Sequence, residues 1–138
     1  MKRLSVWVAI MVLAAGAAAA TAEGPTLRTV MRQLGADLHA LVDAIMVGDY
    51  EAAARAAGAI ADHAHVGAGE RARIQKILGP DMKTFKALDT RVHDTAVALR
   101  KAARERDTEA VVQRFGELVH GCTECHSGMR DRLRGATR

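Results

Sequence analysis

The cysteines and a neighbouring histidine form the stretch most suited to chemistry, CTECH at residues 122–126. The chain has 2 cysteines, and both lie in this stretch. The pattern is C-x-x-C-H, in which two thiols add to the two vinyl groups of haem and the adjacent imidazole ligates the iron. On a helix, Cys122, Cys125 and His126 share one face, because they are three and four residues apart. We therefore expect one covalent haem c, attached at both cysteines, with His126 as the axial ligand.

Three other uses of the cysteine pair remain open. A redox dithiol of the thioredoxin type accompanies a βαβ pattern, and no stretch of this chain alternates with period two. A structural zinc site takes four ligands, whereas the chain offers this pair and scattered histidines. A structural disulfide would not require His126. The haem interpretation is the one that uses all three residues.

The first residues have the pattern of an export signal. Two basic residues precede an apolar run over residues 6–20, and residues 20–22 have the A-x-A form of a cleavage site. The run is short and alanine-rich, whereas a spanning helix takes about 20 strongly apolar residues. We expect a signal peptide at 1–22, cleaved after Ala22, and one domain at 23–138. The protein would then work in the periplasm without a stable membrane anchor.

Apolar residues that recur at steps of three and four predict helices and no strand. The predicted helices cover Thr26–Val47, Tyr50 to about His65, Glu70–Leu78, Asp81 to about Arg106, and Asp107 or Thr108 to about Leu133. Pro25 suits a first turn, Gly48 a helix stop and Asp49 an N-cap, while residues 67–69 should end the second helix. Four long helices with short connections predict an all-α, antiparallel up-down-up-down four-helix bundle. Because only 3% of residues are aromatic, a large flat cofactor would complete the core.

With its motif near the end of the last helix, the chain resembles the cytochrome c′ family of four-helix-bundle cytochromes. The resemblance is carried by that placement, by Arg130 four residues after His126, and by VMRQLG at residues 30–35. It implies that Met31 faces the open side of the haem and binds iron as the sixth ligand, as in low-spin members. From their positions on the helices, Arg130 one turn beyond His126 and Arg28 one turn before Met31 are candidates to pair with haem propionates, and the alternative for each is a solvated arginine. Whether the protein forms a homodimer stays open.

These expectations favour a periplasmic electron carrier rather than an enzyme, with periplasmic redox proteins as partners. Haem supplies the redox chemistry, and a His/Met ligand pair raises its potential. The alternative is a protein that binds nitric oxide or carbon monoxide at an open or displaceable distal site. A peroxidase would need a polar distal pocket with a base, whereas the helix face around Met31 is apolar. The formal net charge of +4 comes without a basic stripe with interleaved aromatics, so nucleic acid is not an expected partner.

Overall fold

The structure is a computed structural model that describes residues 24–135, and the predicted export signal at 1–22 lies outside them. The described part is all-α: 87% of its residues are helical, and it contains no strand. The α-helices are α1 (Leu27–Met46), α2 (Tyr50–Ala61), α3 (Ala68–Leu78), α4 (Met82–Arg104), α5 (Thr108–Cys125) and α6 (Asp131–Gly135). A 3-10 turn at Gly79–Asp81 joins α3 to α4, and a π-helical turn at His126–Arg130 joins α5 to α6.

The four longer helices pack consecutively, α1 on α2, α2 on α4 and α4 on α5. A three-residue connection at 47–49 turns the chain back between α1 and α2. Tyr50 at the start of α2 hydrogen-bonds Thr108 at the start of α5, so these two helices start at the same end. Arg91, near the middle of α4, donates to Glu124 at the end of α5 at 2.5 Å, and a short connection joins the end of α4 to the start of α5, so α4 and α5 are antiparallel. The predicted four-helix bundle is confirmed.

Short polar side chains begin the helices where the sequence predicts. The carboxylate of Asp49 accepts a hydrogen bond from the backbone N–H of Ala52 at 2.9 Å, and that of Asp107 accepts one from the N–H of Ala110 at 3.0 Å. Both are N-cap hydrogen bonds. Gly48 follows α1 with φ +71°, a conformation that glycine adopts without strain. The prediction that Pro25 lies in the first turn is wrong, because Thr26 is the N-cap of α1 and Pro25 precedes it.

The second helix ends at Ala61 instead of near His65. Two imidazoles explain the early stop: His63 Nδ1 lies 3.0 Å from the carbonyl oxygen of Ile60, and His93 Nδ1 lies 2.9 Å from that of Ala61. Helix ends leave such carbonyls without an intrahelical partner, and histidine side chains can satisfy them.

Residues 67–69, predicted to end the second helix, instead begin α3. Gly67 is the N-cap of α3, and its N–H donates to the carbonyl oxygen of Pro25 at 3.0 Å. This bond attaches the start of α3 to the start of α1. The short helix therefore stands beside the bundle, where it contacts α4 and α6.

The last helix is not the unbroken α-helix predicted to about Leu133. The α-helical part ends at Cys125, the π turn follows, and α6 continues to Gly135. Turns of π type are rare and are frequent at functional sites. This one begins at His126, directly after the cysteine pair.

Two apolar clusters hold the bundle together. The larger one is alanine-rich and lies between α1, α2, α4 and α5, with Leu41, Leu99 and Leu118 fully buried. The smaller one joins α3 to the start of α4 and to the chain after the cysteine pair. Its buried members are Ile74, Leu78, Met82, Leu88, Met129 and Leu133. Among residues 24–135, no helix is long and apolar enough to cross a membrane.

Candidate haem site

The C-x-x-C-H motif spans the junction between α5 and the π turn. Cys122 and Cys125 occupy the last turn of α5 as half-buried free thiols. His126 starts the π turn and is exposed. Cys125 also packs against the smaller apolar cluster. The motif thus lies at the end of α5, next to the smaller apolar cluster that α3 helps to form.

Burial raises the pKa of both cysteine thiols, and for Cys125 the nearby carboxylates of Asp89 and Glu124 act in the same direction. The position of both cysteines in the last turn of α5 also raises the pKa of their thiols, because the C-terminal end of a helix carries partial negative charge. Reactive cysteines of redox C-x-x-C sites have a lowered pKa and favour helix N-termini or cationic neighbours. The electrostatics here are therefore opposite to those of a thioredoxin-type dithiol.

A cavity of about 980 Å³ opens beside the motif. Its walls are the first turns of α1, the start of α3, Phe85 of α4, and the chain from Cys125 to Arg134. The volume is at the upper end of the roughly 300–1,000 Å³ of small-molecule sites. Much of the lining is apolar: Leu27, Met31, Phe85, Met129 and Leu133. Such a cavity suits a large apolar ligand.

Five of the six predicted site residues line this one cavity: Arg28, Met31, Cys125, His126 and Arg130. Met31 reaches it from α1, with 36% of its surface exposed. Met31 and His126 are about 95 residues apart in sequence, and the packing of the helices brings both to the same cavity. The sixth residue, Cys122, is not part of the lining. It lies three residues before Cys125, about 4.5 Å nearer the start of the helix along the helix axis.

Charge around the cavity is mostly positive. The lining includes Arg28, Arg32, Arg73, Arg130 and Arg134, with Glu70 as its carboxylate. Arg130 is half-exposed, and its Nε donates to the neighbouring Asp131 at 3.0 Å. An apolar cavity with a cationic lining suits a ligand that is flat and apolar over most of its surface and carries acidic groups at one edge.

Glu70 and Arg73 of α3 are cavity residues that the sequence interpretation missed. The Nε and Nη2 of Arg73 donate to the two carboxylate oxygens of Glu70 at 2.7 and 2.8 Å. The N–H of Leu27 donates to Glu70 Oε1 at 3.1 Å, so Glu70 also caps the start of α1. The i,i+3 pair is visible in the sequence. The bond to Leu27 is not, because it joins residues 43 apart.

The residues present fit haem. Cys125 and His126 supply a thiol and an imidazole on one wall, Met31 supplies a thioether on the α1 wall, and the arginines match acidic propionates. Arg73 Nη1 is buried without a hydrogen-bond partner among the described residues, and it is covered from the cavity as well as from solvent. No group of three or more histidine, cysteine, aspartate or glutamate side chains in residues 24–135 could hold a metal ion. Haem does not need such a group, because the porphyrin brings its own equatorial nitrogens.

Comparison of the chain with protein-family models, with curated proteins and with solved structures gave no match.

Proposed function

We propose that the protein is a c-type cytochrome that carries electrons through one covalently bound haem. The observation that carries the proposal is the cavity: the C-x-x-C-H motif supplies Cys125 and His126 to its wall, and Met31 lies on the wall formed by α1. Haem supplies the one-electron redox chemistry when it is bound.

The chain's own residues have separate parts in this proposal. Cys122 and Cys125 provide the thioether links, which stay in place through redox cycling. His126 would give an imidazole nitrogen and Met31 a thioether sulfur to the iron, and this ligand pair favours a raised potential. Phe85, Met129 and Leu133 line the cavity with apolar side chains and would restrict water around a bound haem. Arg28 and Arg130 are candidates for the propionates.

The setting is part of the same proposal. The chain would be exported by its first 22 residues and would exchange electrons with periplasmic redox proteins. Part of the motif and the residue after it lie at the surface: Thr123, His126 and Ser127 are exposed. An exposed edge near the iron would let a partner approach within electron-transfer distance without a change in the bundle.

The test is expression in a bacterial host that has haem-attachment machinery, with export of the product. Mass spectrometry should show one haem per chain that survives acid–acetone extraction, and the alkaline pyridine spectrum should be that of a haem held by two thioethers. The matched controls are Cys122→Ser and Cys125→Ser. Each should keep at most one thioether and shift the pyridine spectrum accordingly. Free thiols at both positions in the parent protein would refute the proposal.

The gas-binding alternative differs from the carrier at one position. A carrier with Met31 on the iron should have a low-spin spectrum in both oxidation states and should bind carbon monoxide slowly or not at all. A high-spin parent protein that binds carbon monoxide rapidly would favour the alternative, with haem attachment unchanged. The spectrum of the parent protein therefore separates the two functions.

A further inference from the structure

Charge is unevenly divided between the two ends of the bundle. We call the end that holds the C-x-x-C-H motif the motif half, and it comprises residues 27–36, 56–93 and 117–135. In these ranges lysine and arginine outnumber aspartate and glutamate, whereas carboxylates are the more numerous in 37–55 and 94–116. The positive end of the bundle is therefore the end that holds the cavity.

Ion pairing within the protein increases this asymmetry. Every carboxylate of the motif half except Asp89 has an arginine within ion-pair distance, and Asp89 lies 3.8 Å from Nε2 of His63. In the other half, exposed groups without an ion-pair partner among residues 24–135 carry both signs, as Asp43 and Arg104 show. Those of the motif half are all cations: Arg28, Arg32, Arg71, Lys76, Lys83 and Lys86.

These exposed cations lie on the helices that form the cavity walls. Two are on α1, while α3 carries Arg71 and Lys76, and α4 carries Lys83 and Lys86 on either side of Phe85. The four on α3 and α4 do not line the cavity, so a ligand bound inside it would leave them in solvent. They remain accessible to a protein that approaches the exposed part of the motif.

The chemistry of this surface indicates what would bind it. Clustered cations attract and orient an anionic surface, and such steering raises association rates by about 10–10³-fold. Among the described residues, the large apolar side chains that are exposed lie mostly at the opposite end, and Met31 is the one in the motif half. Stable attachment to a membrane takes a second signal besides charge. Charge with little apolar area suits a contact between proteins that forms and separates quickly.

We propose that the motif half is the docking surface for the redox partner, and that the partner presents an acidic protein face to Arg71, Lys76, Lys83 and Lys86. This inference rests on the proposed function, because it takes electron exchange through a bound haem as the purpose of the contact. The cations would bring the partner to the exposed residues of the motif. They would also keep it from the opposite end, which is about 25 Å away along α5.

The first experiment measures how the haem-loaded protein binds fluorescently labelled poly-L-glutamate, a soluble substitute for an acidic protein face, by fluorescence anisotropy. It compares the parent with Lys76→Glu, Lys86→Glu and with the matched control Arg55→Glu, Arg104→Glu. The control makes the same change in net charge at exposed positions outside the motif half. Reversal in the motif half should weaken binding about tenfold. The control should change it less than about twofold, because charges more than about 8 Å apart are largely screened at 0.15 M salt.

The second experiment asks whether this surface lies where electrons are exchanged. Ferricyanide and tris(1,10-phenanthroline)cobalt(III) carry charges of equal size and opposite sign, and each takes one electron from the ferrous protein, which becomes ferric. Oxidation of the parent by ferricyanide should slow as salt is added, and oxidation by the cobalt complex should become faster. Lys76→Glu, Lys86→Glu should reduce both salt dependences, whereas the control should match the parent.

Equal loss of poly-L-glutamate binding in the two double variants, or the same salt dependence for both oxidants, would overturn the inference and leave the proposed function standing. Co-sedimentation of the parent with phosphatidylglycerol vesicles at about 0.15 M salt, where poly-L-glutamate does not bind, would also overturn it and assign the surface to a membrane. Should the double reversal yield no folded protein, Lys76→Gln, Lys86→Gln replaces it: weakened binding supports the surface, and unchanged binding counts against it. A parent protein without covalent haem would refute the proposed function and this inference with it.

Discussion

Gly121 holds α4 and α5 close together one residue before the cysteine pair, and its replacement by alanine is a sharp test of the packing. A Cβ at position 121 would lie 3.1 Å from Val92 Cγ2, whereas ordinary contacts are 3.4–4 Å. Valine in a helix has one strongly preferred rotamer, so Val92 cannot turn away. The two helices would have to separate by a few tenths of an ångström.

The magnitude follows from two opposing effects. Alanine is favoured over glycine inside a helix by about 1 kcal/mol, and forcing an extra methyl into a packed contact costs about 1–3 kcal/mol. We expect Gly121→Ala to lie between neutral and about 2 kcal/mol destabilised. Gly116 is the control in the same helix, because a Cβ there meets nothing within 4 Å. Gly116→Ala should be stabilised by about 1 kcal/mol.

The assay is urea and thermal unfolding followed by circular dichroism, with all variants in the same haem state. A difference of about 1–3 kcal/mol between the two variants corresponds to roughly 4–12 °C in Tm. Val92→Ala should relieve Gly121→Ala, so that the double variant is more stable than the sum of the single effects implies. If Gly121→Ala gains as much stability as Gly116→Ala, or if the double variant shows no coupling to Val92, the close contact is not what constrains this position.

Three further predictions concern the cavity. Met31→Ala should convert a low-spin spectrum to high spin and open the iron to carbon monoxide, and an unchanged spectrum would exclude Met31 as the sixth ligand. The double variant Cys122→Ala, Cys125→Ala should keep helical circular dichroism but lose cooperative melting, and sharp melting near the parent temperature would contradict this. Hydrogen bonds from Arg73 hold the pKa of Glu70 below its ordinary value, so its contribution to stability is present above about pH 4.3 and is lost as pH falls through the lowered pKa. Glu70→Gln should therefore cost about 1–3 kcal/mol at neutral pH, and the deficit in urea midpoint should shrink in acid; a deficit independent of pH would show that the charge of Glu70 is not involved.

The sequence predicts the helix positions correctly where they depend on residues close together in the chain. The three-to-four-residue apolar period, the cap at Asp49 and the helix start at Asp107 or Thr108 depend on residues within one turn of each other, and the structure agrees with them. The end of α2 was misplaced, because it is set by the imidazole of His93, 32 residues away at the carbonyl of Ala61. The predicted start of α3 at Glu70 is two residues later than its start at Ala68, since the bond from Gly67 to Pro25 is not local.

The motif residues of the candidate site were also readable, because C-x-x-C-H is a local pattern whose chemistry depends on spacing alone. The sequence by itself therefore determined which residues form the C-x-x-C-H motif, and that the chain around them is helical. Tertiary structure decided that Met31 and His126 line one cavity, that α3 forms one of its walls, and that Glu70 joins Arg73 to the start of α1. Those relations depend on how helices distant in sequence pack against one another, and the pattern of apolar residues along a helix specifies which face is buried but not which neighbour covers it.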